Sequence, residues 1–212
     1  GEIGAILYTV EQNFDFVNPS KHLPQLLEAY QKIQQLEDKH WSGIKEKQIL
    51  EIIEAAAGLY LEASAVSSSG TPNSSIDVNF EVLNRSNANI ELHSITSTID
   101  NKTIAKNLNL EANKKINFRE TIDLKTNQFS DPYWLREEAT LGMYAVDNQQ
   151  LIGKPETPRS AQIAFHLRIE TVPITIIKDV VRRYSERDKG EIYEPFEVLP
   201  IVTTKLKDKV II

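Results

Sequence analysis

Side chains able to do chemistry are unevenly spread along this 212-residue chain. Their densest gathering is Asp131-Pro132-Tyr133-Trp134-Leu135-Arg136-Glu137-Glu138, where three carboxylates flank two aromatic rings and a guanidinium. Rings beside acids can hold a sugar, the ring stacking on the apolar face while the carboxylates take the hydroxyls. Tyr144 lies close enough in sequence to extend such a platform. The competing reading is that Tyr133 and Trp134 pin a long loop to a core while Asp131, Arg136 and Glu137 stay solvated, because aromatic rings in long ordered loops supply the burial that orders them. The second reading is preferred, with these six residues kept as ligand or interdomain contacts.

Other chemistries lack their residues. A zinc site needs clustered ligands, and His22, His40, His93 and His166 are scattered with no close ligand pair. Cysteine is absent, no serine sits in a Gly-x-Ser-x-Gly elbow, and the eight glycines form no phosphate-binding run. Catalysis by Asp131, Glu137 and Glu138 would need a carboxylate pair with separated pKa values, for which nothing in the sequence supplies a frame. The expectation is no catalytic, metal-binding or cofactor-binding residue in this chain. Arg182-Arg183 with Arg187 and Lys189 is interleaved with Glu186, Asp188 and Glu191, which predicts a hairpin tip rather than an anion site. Asn73-Ser74-Ser75, Asn84-Arg85-Ser86 and Asn101-Lys102-Thr103 match glycosylation acceptors, matches expected by chance in so asparagine-rich a chain.

The balance of 24 basic and 30 acidic residues gives a formal charge of −6, the wrong sign for neutralising phosphates, so no nucleic-acid partner is expected. The longest apolar run, Ala55 to Leu61, suits a buried helix face and is too short to span a bilayer. Zero cysteines fit either a reducing or an oxidising compartment. Gly1 looks like a tag-cleavage scar, and Lys209-Val210-Ile211-Ile212 stops inside an apolar run, which reads as a piece of a longer polypeptide.

The elements that must position these residues fall into two regimes. Leu23, Leu26, Leu27, Tyr30, Ile33 and Leu36 follow helical steps between Asn18 and Asp38, with Asn18-Pro19-Ser20 as the cap. A second helical pattern runs through Ile49, Ile52, Ile53, Ala56, Ala57 and Tyr60, with Ser42 as its cap. The two predict a helical hairpin joined near Trp41 and Gly43. From Ser67-Ser68-Ser69-Gly70-Thr71-Pro72 onward the period drops from 3.6 to 2. Ile76, Val78, Phe80 and Val82 alternate with polar residues, and further strands are predicted over 90–99, around Leu108, over 116–124 and 163–169, in the run around 174–184 and near 196–202. Asp188-Lys189-Gly190 marks a turn. About seven or eight short strands with no helices between them predict an antiparallel immunoglobulin-like or fibronectin-like β-sandwich, with a closed barrel ranked second. The domain plan is a helical segment at 1–65, a sandwich at 66–200 with an irregular insertion at 129–158, and a linker or the start of another β-domain at 201–212.

Several runs carry a family resemblance: Ser130-Asp131-Pro132-Tyr133-Trp134-Leu135-Arg136-Glu137, Gly142-Met143-Tyr144, Leu151-Ile152-Gly153-Lys154-Pro155-Glu156 and Gly190-Glu191-Ile192-Tyr193-Glu194-Pro195-Phe196-Glu197-Val198. With Ala57-Gly58-Leu59-Tyr60-Leu61-Glu62-Ala63 and Asn84-Arg85-Ser86, the chain resembles the region downstream of the catalytic domain in large PIG-L/LmbE-like deacetylases of Bacteroidetes. That family removes acetyl groups from N-acetylglucosamine-type amines with zinc held near an Ala-His-Pro-Asp-Asp-Glu motif, which this sequence lacks. The resemblance implies that zinc and catalysis belong to a domain absent from this chain. It further implies that the partners are that catalytic domain and neighbouring β-domains, and that the parent is periplasmic or secreted. The expected role is structural, positioning or shielding the catalytic domain. The alternative is a carbohydrate-binding module using Tyr133, Trp134 and Tyr144, with a glycan as partner.

Overall fold

The computed structural model describes residues 1–202. The expectation for 201–212 therefore falls, beyond Val202, outside the described residues. Three helices come first: α1 (Glu2–Gln12), α2 (Leu23–Gln34) and α3 (Lys39–Ala57). The helical steps of α2 bury Leu23, Leu26, Leu27, Tyr30 and Ile33. Asn18 precedes a single 3-10 turn, Pro19–His22, that leads into α2.

The helices do not join near Trp41 and Gly43: both lie inside α3, and the connection is the short stretch 35–38 that ends in the cap Asp38. Two further local expectations fail for definable reasons. Asp38, not Ser42, caps α3, its carboxylate accepting the backbone N–H groups of His40 and Trp41 at 3.0 and 3.2 Å. Ser42 is buried one turn into the helix and donates its hydroxyl to the Ile33 carbonyl at 2.9 Å, tying α3 to α2. The helix also stops before Tyr60. Gly58 takes a left-handed φ of +59°, which ends α3 without the steric penalty of a side chain, and its backbone N–H closes on the Ala55 carbonyl. The change from helix to strand thus occurs at Gly58, ahead of the serine-rich stretch.

The strands are β1 (Leu59–Ala65), β2 (Ser69–Gly70), β3 (Ser75–Asn84), β4 (Ile90–Ser97), β5 (Thr103–Asn109), β6 (Ile116–Asp123), β7 (Gln162–Ile169), β8 (Val172–Glu186), β9 (Gly190–Pro195) and β10 (Glu197–Val198). Eight of them form one sheet in the order β5-β4-β7-β8-β1-β3-β6, with β9 paired to β8, while β2 and β10 pair separately. The protein is mainly β with an N-terminal helical segment, and its main sheet is curled and mixed rather than purely antiparallel. The parallel contacts join β1 to β8 at Ala63↔Val180 and Ser64↔Val181, and β2 to β10. The 15-residue β8 makes the curl possible: Val172–Asp179 pairs with β7, and Val181–Glu186 pairs with β9.

Strand alternation delivers the core as the sequence predicts for β3, with Ile76, Val78, Phe80 and Val82 inward. Phe80 stacks on Phe118 of β6 at 4.9 Å between ring centres and meets Phe165 of β7 edge-on at 6.1 Å, so the interior of the curl is filled from both arms. Phe80 and Phe165 are fully buried and contribute roughly 1.5–3 kcal/mol each, while Phe118 is only partly buried. The buried faces of the helices join this same apolar core, and Lys178 of β8 pairs with Glu54 of α3 at 2.5 Å. No helix among the described residues is long and apolar enough to cross a membrane.

Candidate functional site

Between β6 and β7 the chain runs irregularly for most of 124–161, apart from one 3-10 turn at Tyr133–Leu135. Its base is pinned. The Ser130 N–H donates to the Val198 carbonyl and the Val198 N–H to the Ser130 hydroxyl, each at 2.8 Å, which clamps the segment to β10. Thr157 accepts the Tyr133 N–H at 2.9 Å and donates to the Asp131 carbonyl at 2.8 Å. The Tyr133 ring is buried, with its hydroxyl donating to the Lys154 carbonyl at 3.2 Å.

Above this base the segment presents apolar side chains to solvent. Leu141 is fully exposed, Tyr144 is 63% exposed, and Leu135, Met143 and Ile152 are also exposed. Two open basins flank Trp134, whose ring meets that of Tyr133 edge-on at 4.9 Å. One, of about 660 Å³, is lined by Asp131, Trp134, Arg136 and Arg159 among others. The other, of about 650 Å³, is apolar and brings together Tyr133, Trp134, Met143, Tyr144 and Ile152. Asp131 accepts from Arg136 Nε at 3.0 Å, so those two neutralise each other. Glu137 and Glu138 are exposed and line neither basin. Of the six residues singled out from sequence, three share the apolar basin, Asp131 and Arg136 share the polar one with Trp134, and Glu137 stands apart.

The histidines occupy separate places. His22 is buried, stacks on Phe14 and accepts the Asp15 N–H at Nε2, 3.0 Å. His166 bridges Thr96 and Thr175 across the sheet at 2.8 and 3.1 Å. Among the described residues no three His, Asp or Glu side chains converge as a metal would require. Nor does Asn84 suit glycosylation: it is buried, and its amide nitrogen donates to the Ala88 and Leu110 carbonyls.

A second cluster joins β1, β3 and β8 through Glu62, Glu81 and Arg183. β1 is buried on both faces, which places Glu62 in the interior although strand alternation points it away from the core. The β8–β9 ribbon explains this. Arg183 does not serve the hairpin tip as the interleaved charges predicted; it reaches across to Glu62 Oε1 at 3.3 Å and to Glu81 of β3 at 3.4 Å. Tyr60 donates its hydroxyl to Glu62, and Lys115 approaches Glu81 at 3.4 Å. Burial and then the Glu62 carboxylate push the Tyr60 phenol well above its ordinary value. Burial pulls the Arg183 guanidinium down, but Tyr193, Glu62 and Glu81 outweigh it and hold the group above its usual range. The open cleft beside this network, about 660 Å³, is lined by Asn79, Asn117 and Arg119 as well.

No family model matches the chain, and no curated protein matches it in sequence. Among solved structures it is similar to the Pseudomonas fluorescens alkylpurine DNA glycosylase AlkC bound to DNA containing an abasic site analog, at 8% identity and a TM-score of 0.28, over 81% of this chain and 49% of that one. The chain therefore spans about half the length of that protein. A likeness this weak carries no argument about fold or function.

Proposed function

We propose that the chain is a non-catalytic accessory module of a larger PIG-L/LmbE-like zinc-dependent deacetylase, and that the irregular segment is the face it turns to the catalytic domain. One observation carries the reading: the segment is firmly pinned at Tyr133, Thr157 and Ser130, yet it holds Leu141, Met143, Tyr144 and Ile152 out in water. Exposed apolar side chains gathered on an ordered scaffold, as Met143, Tyr144 and Ile152 are around one basin, are a mark of an interaction surface. The module positions or shields the catalytic domain, with zinc held there and not here, in a periplasmic or secreted parent. In the same reading β1-β3-β6 and β5-β4-β7-β8 are the two layers of an immunoglobulin-like sandwich, and α2 and α3 form the helical hairpin that leads into it.

The test is made in the full-length parent. Replacing Leu141 and Tyr144 by Asp should accelerate proteolytic separation of this region from the catalytic domain and lower the parent's unfolding midpoint, while the isolated chain unfolds as before. Unchanged proteolysis and midpoint in the parent would dismiss the docking role.

A second reading, carbohydrate binding, is favoured by the apolar basin in which Trp134 and Tyr144 are both accessible. N-acetylglucosamine oligomers should then shift Trp134 fluorescence, an effect lost in Tyr144→Ala. A spectrum indifferent to those sugars removes this reading.

A further inference from the structure

We propose that the cleft on the outer face of β1, β3 and β6 is a binding site for a small molecule bearing a carboxylate and hydroxyl groups. The cleft lies beside the buried Glu62 network and is separate from the irregular segment; its lining shares no residue with either basin there. Three cations line it, Lys115, Arg119 and Arg183, against two carboxylates, Glu62 and Glu81.

The carboxylates are already engaged. Arg183 spans both, Lys115 adds to Glu81, and Glu62 also accepts from Tyr60. Arg119 is left over. Among the described residues its side chain makes one hydrogen bond, Nε to Asn79 Oδ1 at 2.7 Å, and no ion pair, so the two terminal nitrogens of its guanidinium remain available. The bond to Asn79 fixes the plane of the group, and a fixed guanidinium fork matches the two oxygens of a carboxylate. The result is a locally positive cleft on a chain whose formal charge is −6.

The rest of the lining suits the remainder of such a ligand. Asn117 brings an amide able to donate to and accept from hydroxyls, while the exposed Val66 gives an apolar edge. Buried Glu62 Oε1 has no hydrogen-bond partner, only the ion-pair contact to Arg183 at 3.3 Å, so the network behind the cleft is not closed on itself. Arg183 stays with Glu62 and Glu81, so its charge adds to the field of the cleft while Arg119 makes the direct contact.

Sodium glucuronate is the probe, with glucose as the neutral counterpart of the same shape, followed by amide NMR on the 212-residue chain. The expected result is saturable shifts at Asn79, Asn117 and Arg119 with glucuronate up to about 20 mM, weakened by added salt, and none with glucose. Arg119→Gln should weaken binding about tenfold. Lys115→Gln should do so to a lesser degree, and both variants should unfold at the wild-type midpoint. The proposal is overturned if glucuronate gives no saturable shifts, if glucose moves the same amides equally, or if a folded Arg119→Gln binds as before.

Discussion

Asn84 offers the sharpest check on how the strands are held together. Its side chain is 1% exposed and makes four hydrogen bonds: Nδ2 donates to the Ala88 and Leu110 carbonyls at 3.0 and 2.9 Å, and Oδ1 accepts the Ser86 N–H and hydroxyl, both at 2.9 Å. It thereby joins the end of β3, the turn before β4 and the turn before β6. Asn84→Ala removes all four bonds. At about 1 kcal/mol net for each, with buried carbonyls left unpaired, the loss is about 3–4 kcal/mol, a large part of the roughly 5–15 kcal/mol that holds a domain folded. Asn84→Asp keeps the shape and the Ser86 half but sets a carboxylate against two carbonyl oxygens. At pH 7 it should cost at least as much as alanine. Those oxygens raise the folded-state pKa of the introduced acid, so the protonated form is preferred in the folded protein and part of the stability returns as the pH falls through that raised value. Urea unfolding at pH 7 and pH 5 measures both effects. An alanine variant within about 0.5 kcal/mol of wild type, or an aspartate variant no better at pH 5 than at pH 7, would refute this account of Asn84.

Gly70→Ala would press a methyl group into Leu124 Cδ1 and bring it to 3.1 Å from Ile76 Cγ2 and Phe196 Cζ, so calorimetry should show about 1–3 kcal/mol lost to overpacking. The Tyr30 phenol is pushed up to about 12 by burial and by Glu46, against about 10 when unfolded, so the folded state holds its proton longer. Its contribution is fully present below pH 10 and is lost between pH 10 and 12 at about 1.4 kcal/mol per unit; Tyr30→Phe should flatten that part of an alkaline unfolding curve. Tyr133→Phe loses only the bond to the Lys154 carbonyl and should cost about 1 kcal/mol or less. Tyr133→Ala also removes the buried ring and should raise amide exchange across 129–158 while the sheet amides stay protected, as hydrogen-exchange mass spectrometry would show.

What the sequence reveals of this fold follows the range of the forces involved. The faces of α2 and β3 are legible because burial repeats with the local period, and Leu26, Tyr30, Val78 and Phe80 lie where those periods put them. The helix end is misplaced because Tyr60 happens to continue the helical spacing, while the deciding residue, Gly58, has no side chain to carry a periodic signal. α1 carries the same kind of signal, since Ile3, Ile6, Leu7 and Val10 follow helical steps and pack on the core, so the expected two-helix hairpin leaves out a helix that local periodicity does mark. The segment around Trp134 is visible from its aromatic content and its lack of period. Which of its rings are anchored and which are free depends on partners as distant as Val198 and Lys154.

The Glu62 network shows why part of a candidate site stays hidden in a sequence. On a strand with Leu61 and Ala63 inward, Glu62 belongs on the wet face, and Arg183 belongs to a charged hairpin. Strand alternation gives the direction of Glu62 but not its surroundings, and Arg183 turns from the hairpin to Glu62 and Glu81. β8 is long enough to leave β7, touch β1 at Val180 and Val181, and run on with β9 beside the face where Glu62 sits. That single crossing, 121 positions apart in sequence, turns an exposed carboxylate into a buried one and brings to it the cation that makes its burial tolerable. A charge is buried at such a place only if its partner arrives in the same folding step, so Arg183 and Glu62 should be strongly coupled. Arg183→Met should destabilise the protein more than the double change Arg183→Met with Glu62→Gln, because the single variant leaves a buried carboxylate with only the Tyr60 hydroxyl to hold it. Equal losses in the two variants would mean that Glu62 is effectively solvated, and the buried network would have to be abandoned.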